Sequence, residues 1–363
     1  ELQSIKASTE KYQELLNTLV SNFRQKSVDN MEPNELLQIL EAIGSYIPSS
    51  TAKGEVADIS LYDHMKLTAA LAICLYDYLH SKGIYDYKSY CYGTKQKELR
   101  KENTYLLVSG DISGIQDFIY TIPSKGALKS LRGRSFYLEL LMENVIDELL
   151  ERLDLNRCNL IYNGGGNFYL LLPNTSQVLT ELENVQNIIN QWFLEKFGTR
   201  LYIAIGWAPC AANDFMVNSG NALGSIYSKA RSLIAVQKHR RYNAYQLGQL
   251  FQPYSQINIV KDGARECSIC HTSSTNLSLY GDAEETWACD MCCSLRNLGE
   301  ELLKYDVLVV LDKMPDTKQK CVELPSLQGK RYLMAIAEKE VSQLSNIKRI
   351  YVKNLIYTGQ QMA

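Results

Sequence analysis

The sequence predicts an α+β protein in four parts: a helical N-terminal region, an antiparallel sheet with helices on one face, a four-cysteine unit, and a short α/β segment. Three observations carry this reading. Apolar residues recur at helical spacing through residues 1–98. From residue 102 the pattern becomes strand, helix, glycine-tipped hairpin, helix, strand. Two Cys-x-x-Cys pairs then stand about eighteen residues apart. The boundaries follow as 1–98, 102–252, 265–296 and 297–363.

In the first part, Tyr12, Leu15, Leu16, Leu19, Val20 and Phe23 share one helical face, as do Leu36, Leu37, Ile39, Leu40 and Ile43 after Pro33, a residue tolerated in a first turn. Residues 47–54 read as a loop. Ser60 with Asp63 resembles a capping box that opens a helix from Tyr62 to His80. The polar stretch from Thr94 to Lys101 is a connection. In the second part, the apolar run from Tyr105 to Val108 reads as a buried strand ending near Asp111. A helix, or a broken pair, follows from about Ile115 to Leu153, with a basic loop at Pro123 to Gly126. The hairpin spans 158–172 around Gly164-Gly165-Gly166. A helix from Ser176 to Phe197, a strand from Arg200 to Trp207 and a helix from Leu223 to Val236 complete the unit. This order is that of a ferredoxin-like fold. The last part offers strands at Val307–Leu311, Tyr332–Ile336 and Arg349–Val352, with no clear site.

Composition narrows the function classes. The net charge of −2 selects no polyanionic partner by bulk field, so any nucleic-acid contact depends on local patches. No apolar run approaches the roughly 18 residues of a membrane helix. The 10 cysteines do not follow a small secreted disulfide framework. The expected compartment is reducing and cytoplasmic, with no membrane partner. The chain begins at Glu1 without an initiator Met, and is read as a piece of a longer protein.

Cys267, Cys270, Cys289 and Cys292 can place four thiolates at the corners of one tetrahedron around Zn²⁺, which leaves no position for water and argues for a structural ion. His271 and Cys293 adjoin the pairs as alternative ligands and are read as bystanders.

A strand end bearing Asp111 beside a glycine hairpin is the layout of a polymerase or cyclase palm. Such palms hold two divalent ions between carboxylates of the first strand and the hairpin tip. Here the tip is Gly164-Gly165-Gly166-Asn167, with no acid, so two-metal catalysis by this unit alone is not expected. Binding is. Gly110, Gly114, Gly164, Gly165 and Gly166 leave bare backbone for a ligand, and N–H groups at a helix start favour phosphate. Lys125, Lys129, Arg132 and Arg134 follow with no acid between Asp117 and Glu139. A second basic cluster runs from Lys238 to Arg241. Asp63-His64 invites comparison with metal-dependent HD phosphohydrolases, but the order is reversed and the histidines are too few. His64 is read as structural.

The runs Ser109-Gly110-Asp111-Ile112-Ser113-Gly114-Ile115-Gln116-Asp117-Phe118-Ile119-Tyr120, Lys129-Ser130-Leu131-Arg132-Gly133-Arg134-Ser135 and Asn163 to Asn167, with the cysteine unit, resemble the large subunit of type III CRISPR effector complexes. Ile47-Pro48-Ser49-Ser50 and Asp58 to His64 resemble its subtype A branch. The resemblance implies an N-terminal HD nuclease acting on single-stranded DNA, two palms with a zinc finger between them, and cyclic oligoadenylate synthesis from ATP. That synthesis needs Mg²⁺ or Mn²⁺ at the palm interface and follows pairing of guide RNA with target RNA. Residues 1–98 would then be the end of the HD domain, with its own divalent metal outside this chain, and 297–363 would lead to a second palm. The nucleotide half-site would comprise Asp111, Ile112, Ser113, Gly114, Lys129, Arg132 and Gly164 to Gly166, with no catalytic residue in this chain. Partners would be other complex subunits, both RNAs, ATP and single-stranded DNA. Two alternatives are a scaffold that holds neighbouring subunits and guide RNA without binding nucleotide, and a stand-alone zinc-ribbon nucleic-acid binder. The second has too few basic residues in the cysteine unit.

Overall fold

The computed structural model describes residues 9–25, 28–50, 52, 56, 58–122, 126–216, 220–255, 257–281, 286–315 and 321–353. The N-terminal region contains α1 (Thr9–Gln25), α2 (Pro33–Gly44), α3 (Leu61–Ser81), α4 (Tyr87–Cys91) and α5 (Gln96–Leu99). Pro33 occupies the first turn of α2, where its missing N–H costs no hydrogen bond. At the start of α3, Ser60 Oγ accepts from the Asp63 N–H at 3.0 Å and donates to its carboxylate at 2.7 Å, as the spacing predicts.

The next unit runs β1 (Tyr105–Ser113), α6 (Ile115–Tyr120), α7 (Ala127–Arg152), β2 (Leu160–Gly164), β3 (Asn167–Pro173), α8 (Ser176–Phe197), β4 (Tyr202–Cys210), α9 (Ala222–His239) and α10 (Ala244–Phe251). The spatial order is β2-β3-β1-β4, every neighbouring pair antiparallel. Leu106 and Val108 face the core built by α7 and α8. Tyr105 and Leu107 face the other way, against Ala70 and Cys74 of α3 and Ile226 and Ala230 of α9. Helices therefore cover both faces, not one as expected. The unbroken apolar run of β1 is the physical sign of a strand buried on both sides.

The cysteine unit follows as two small ribbons, β5 (Arg265–Glu266) with β6 (Ser273–Ser274) and β7 (Leu277–Leu279) with β8 (Trp287–Cys289). Helix α11 (Asp290–Glu301) runs straight out of it, so the boundary expected after residue 296 falls inside a continuous helix. Finally, β9 (Val307–Leu311), β10 (Val322–Leu324), β11 (Arg331–Ile336) and β12 (Ile347–Val352) form a second antiparallel sheet in the order β10-β11-β9-β12.

Helix α7 joins these parts. It crosses α11 backbone to backbone, because a Cβ on Gly133 would lie 1.8 Å from the Leu295 carbonyl oxygen and one on Gly299 1.9 Å from that of Lys129. Its carboxylates reach the second sheet: Glu148 pairs with Arg331 at 2.9 Å and Arg349 at 3.2 Å, and Asp147 accepts from Tyr351 Oη at 2.7 Å. Leu308, Val310, Val322, Leu324 and Leu333 of the second sheet enter the same core as α7 and α8.

Candidate functional site

Side-chain alternation along β1 puts Ser109 and Asp111 on the α9 face. Helix α9 can lie close because β4 carries Gly206 beneath it, where a Cβ would stand 2.4 Å from the Ala230 carbonyl oxygen. That approach brings Arg231, Ile234, Ala235 and Lys238 over the strand ends. Together with Tyr162, Gly164, Asn167, Tyr169 and Tyr227 they line a cleft of about 720 Å³, within the usual range for small-ligand sites.

The electrostatics centre on Asp111. Lys238 Nζ lies 2.5 Å from its carboxylate, with the two side chains 35% and 21% exposed. The residue paired with Asp111 in the β1–β3 register is Asn167, which is neutral. Arg231 Nε donates to Tyr169 Oη at 3.1 Å, and the Tyr169 and Tyr227 rings meet edge to face at 5.0 Å. The cleft thus offers two cations, one of them already neutralising the single acid, beside three aromatic rings.

Of the sequence-predicted residues, Asp111 and Gly164 line this cleft. Gly165 and Gly166 form the hairpin turn with φ of 61° and 81°, the left-handed region a two-residue hairpin loop demands. Ser113 ends β1 opposite Tyr202. Ile112 is buried and, with Gly164 to Gly166, borders a separate pocket of about 130 Å³ on the α7 side. The expectation that the glycines leave room for a ligand is corrected at most positions. The Phe168 ring fills the space over Gly110, the Arg200 carbonyl that over Gly114, and Ile115 that over Gly166. Lys129 and Arg132 are not brought to the cleft. They lie on α7, across the sheet, where Lys129 pairs with Glu300 at 2.9 Å and Arg132 donates to the Gly299 carbonyl at 2.8 Å. Adjacency in sequence misleads here because α6 turns the chain away before α7 begins. Lys125 lies outside the described residues. Of the second basic cluster, Lys238 alone lines the cleft, and Arg231, Tyr162, Tyr169 and Tyr227 escaped the sequence reading. The i, i+4, i+7 and i+11 spacing of Tyr227, Arg231, Ile234 and Lys238 along one helix face was the available signal.

The four cysteines converge as predicted. The sulfurs of Cys267, Cys270, Cys289 and Cys292 all lie within 4.8 Å of one another, and Cys270 and Cys289 are 3.6 Å apart. Zn–S bonds of about 2.3 Å place sulfurs at such separations. The donor set fits a divalent ion. The hydrogen bond from Cys292 holds the Cys267 thiol down, whereas the one with Cys270 pushes Cys289 up. Four crowded thiols cannot all ionise unaided, and a cation lets them. His271 is instead 2.6 Å from Glu266, and Cys293 donates to the Ala288 carbonyl.

Residues 104–256 match the family profile described as Csm1 subunit domain B. A Mycobacterium tuberculosis (strain ATCC 25618 / H37Rv) relative, the CRISPR system single-strand-specific deoxyribonuclease Cas10/Csm1 (subtype III-A), is 40% identical over 335 residues, covering 90% of this chain and 40% of its own length. The chain belongs to the Cas10/Csm1 family of subtype III-A. It spans about 40% of the length of the curated Cas10/Csm1 relatives it matches. Among solved structures, a Csm1-Csm4 subcomplex of the type III-A interference complex superposes with a TM-score of 0.66 at 27% identity, over 92% of this chain and 38% of that one. A Csm1-Csm4 cassette in complex with one ATP superposes at 0.62 with 27% identity, over 91% and 37%. The Csm1 domain B match contains the whole first sheet and the cleft, while the cysteine unit lies beyond it. No helix among the described residues is long and apolar enough to cross a membrane.

Proposed function

We propose that residues 102–252 form the first palm, of ferredoxin-like topology, in the large subunit of a type III-A interference complex, and that the cleft is a nucleotide-binding half-site without catalytic carboxylates of its own. The observation that carries this is the Asp111–Lys238 pair facing Asn167. A two-ion site needs several carboxylates around both cations. Here an ammonium sits on the single acid, and the opposing strand offers an amide. The cleft is therefore suited to hold a triphosphate on Lys238 and Arg231, with an aromatic wall for the rest of the nucleotide, while metal-bound chemistry belongs to a second palm. A Csm1-Csm4 cassette crystallised with ATP supports the ligand class.

The remaining assignments rest on the same family. The intact protein is expected to make cyclic oligoadenylate from ATP with Mg²⁺ or Mn²⁺, and to cut single-stranded DNA through an HD domain with its own divalent metal. Its expected setting is the cytoplasm, with Csm4-like subunits, guide RNA and target RNA as partners. Residues 1–98 would close the HD domain. The cysteine unit, extended to Glu301, would be a structural zinc finger held by Cys267, Cys270, Cys289 and Cys292, and the second sheet would lead toward the second palm.

The test is equilibrium binding of a non-hydrolysable ATP analogue to the full-length subunit. Lys238→Ala should weaken binding about tenfold, since a charge-assisted hydrogen bond to phosphate is lost and Asp111 is left to repel it. Asp111→Asn should bind at least as well as the parent in the absence of metal. Unchanged affinity in Lys238→Ala and in Arg231→Ala would instead favour a scaffold that holds subunits and guide RNA.

A further inference from the structure

Two arginines grip the cysteine unit, one at each Cys-x-x-Cys pair, and both end at the same short segment. Arg134 of α7 is 2% exposed. Its Nη2 donates to Cys292 Sγ at 3.2 Å and its Nη1 to the Phe118 carbonyl at 3.0 Å, with the guanidinium 5.0 Å from the centre of the Phe118 ring. Arg200 donates to the Cys270 carbonyl and to Thr272 Oγ1, both at 3.1 Å. The carbonyl of Arg200 closes over Gly114, the residue that opens α6.

Each contact answers a physical need. The Phe118 carbonyl lies in the last turn of α6, and the N–H that would continue the helix, that of Ile122, is turned to Tyr120 instead. Arg134 supplies the missing donor. Four thiolates around a divalent ion leave a net charge of about −2, which is costly to bury without a counter-charge. Among the described residues Arg134 forms no ion pair with a carboxylate, and the thiolate centre is the anion it meets. At the other end of α6, Ile115 packs on Gly166 at the hairpin turn beside the cleft.

We propose that Arg134 is a positioning residue that joins the metal–thiolate centre to α6, so that metal occupancy sets the order of residues 114–122, the segment whose Ile115 packs on Gly166 at the hairpin turn. It rests on reading the four cysteines as a metal centre, which metal analysis of the purified full-length subunit checks separately. The proposal itself is tested in two ways. In cobalt(II)-substituted protein, Arg134→Gln should move the thiolate-to-cobalt charge-transfer band to lower energy and release metal to a chelator at least tenfold faster, the usual scale for losing an outer-shell partner. Arg134→Lys keeps the charge but cannot span both acceptors, and should fall between. Arg200→Gln bonds a carbonyl rather than a sulfur and should leave the band in place. In the unsubstituted protein, stripping the metal should accelerate amide exchange across residues 115–122 at least tenfold, a readout that needs no variant to fold. An Arg134→Gln band and release rate equal to those of the parent would overturn the thiolate contact. Unchanged exchange at 115–122 in the metal-free protein would overturn the coupling.

Discussion

The two four-stranded sheets have the same strand order and the same antiparallel pairings, with β9, β10, β11 and β12 standing where β1, β2, β3 and β4 stand. They differ in what connects the strands. The first sheet crosses over through α6, α7 and α8, and keeps a glycine hairpin and a cleft at its strand ends. The described connections of the second sheet contain no α-helix, only a 3₁₀ turn at Glu338–Gln343. The second sheet covers one face by sharing the core of α7 and α8 and the other with Val341 and Leu344. Topology alone therefore does not make a site. Gly206, which lets α9 descend, and the residues α9 then delivers are what separate a binding sheet from a supporting one.

The largest effect should come from the metal. Helix α11 starts inside the cysteine unit and packs on β10 and β11. Chelation, which removes on the order of 10 kcal/mol of local folding free energy in comparable sites, should strip exchange protection from residues 265–301 and β9–β12 before β1–β4. Simultaneous loss in both sheets would show that the second does not depend more on the metal than the first.

Next is the ionic tie between α7 and the second sheet. The Glu148 side chain is 5% exposed and meets Arg331 and Arg349. Glu148→Ala leaves Arg331 without its carboxylate, while Arg349 keeps Glu151 and Asp147, and should cost about 3 kcal/mol in denaturant unfolding. A loss under 1 kcal/mol would mean that the sheet is held by apolar packing alone.

A smaller effect is expected at the helix crossing. Gly133→Ala drives a methyl into the Leu295 carbonyl and should cost about 1–3 kcal/mol as α7 and α11 separate. ATP-analogue affinity should stay near that of the parent if the cleft depends on the first sheet.

The smallest effect is electrostatic. Hydrogen bonds from Lys129 and Lys304 hold the Glu300 carboxyl down at about 2. Its folded pKa lies below the ordinary value of about 4.3, so its contribution is complete above that pH and is lost as pH falls toward 2. Glu300 is about a third exposed, so screening keeps the term small. Glu300→Gln should flatten the stability profile between about pH 4 and 2, and added salt should shrink the difference.

The sequence by itself determined what local patterns encode. Short apolar runs and the glycine turn located the strands of the first sheet, Ser60 and Asp63 located the start of α3, and the Cys-x-x-Cys spacing located the metal ligands, because each signal lies within a few residues of its cause. The acid-free tip at Gly164 to Asn167 was equally legible. Tertiary structure alone decided which face of β1 the long α9 would cover, and so which cation would meet Asp111. Lys129 stands 18 residues from Asp111 in sequence and went to α11, whereas Lys238 stands 127 away and closed the pair. It also decided that most of the glycines serve close packing rather than ligand access, since a glycine in sequence does not say whether protein or solvent fills the space its missing side chain leaves. The shared strand order of the two sheets lay beyond the sequence for the same reason. Strand neighbours are chosen by crossovers and common core, and neither is written within any one segment.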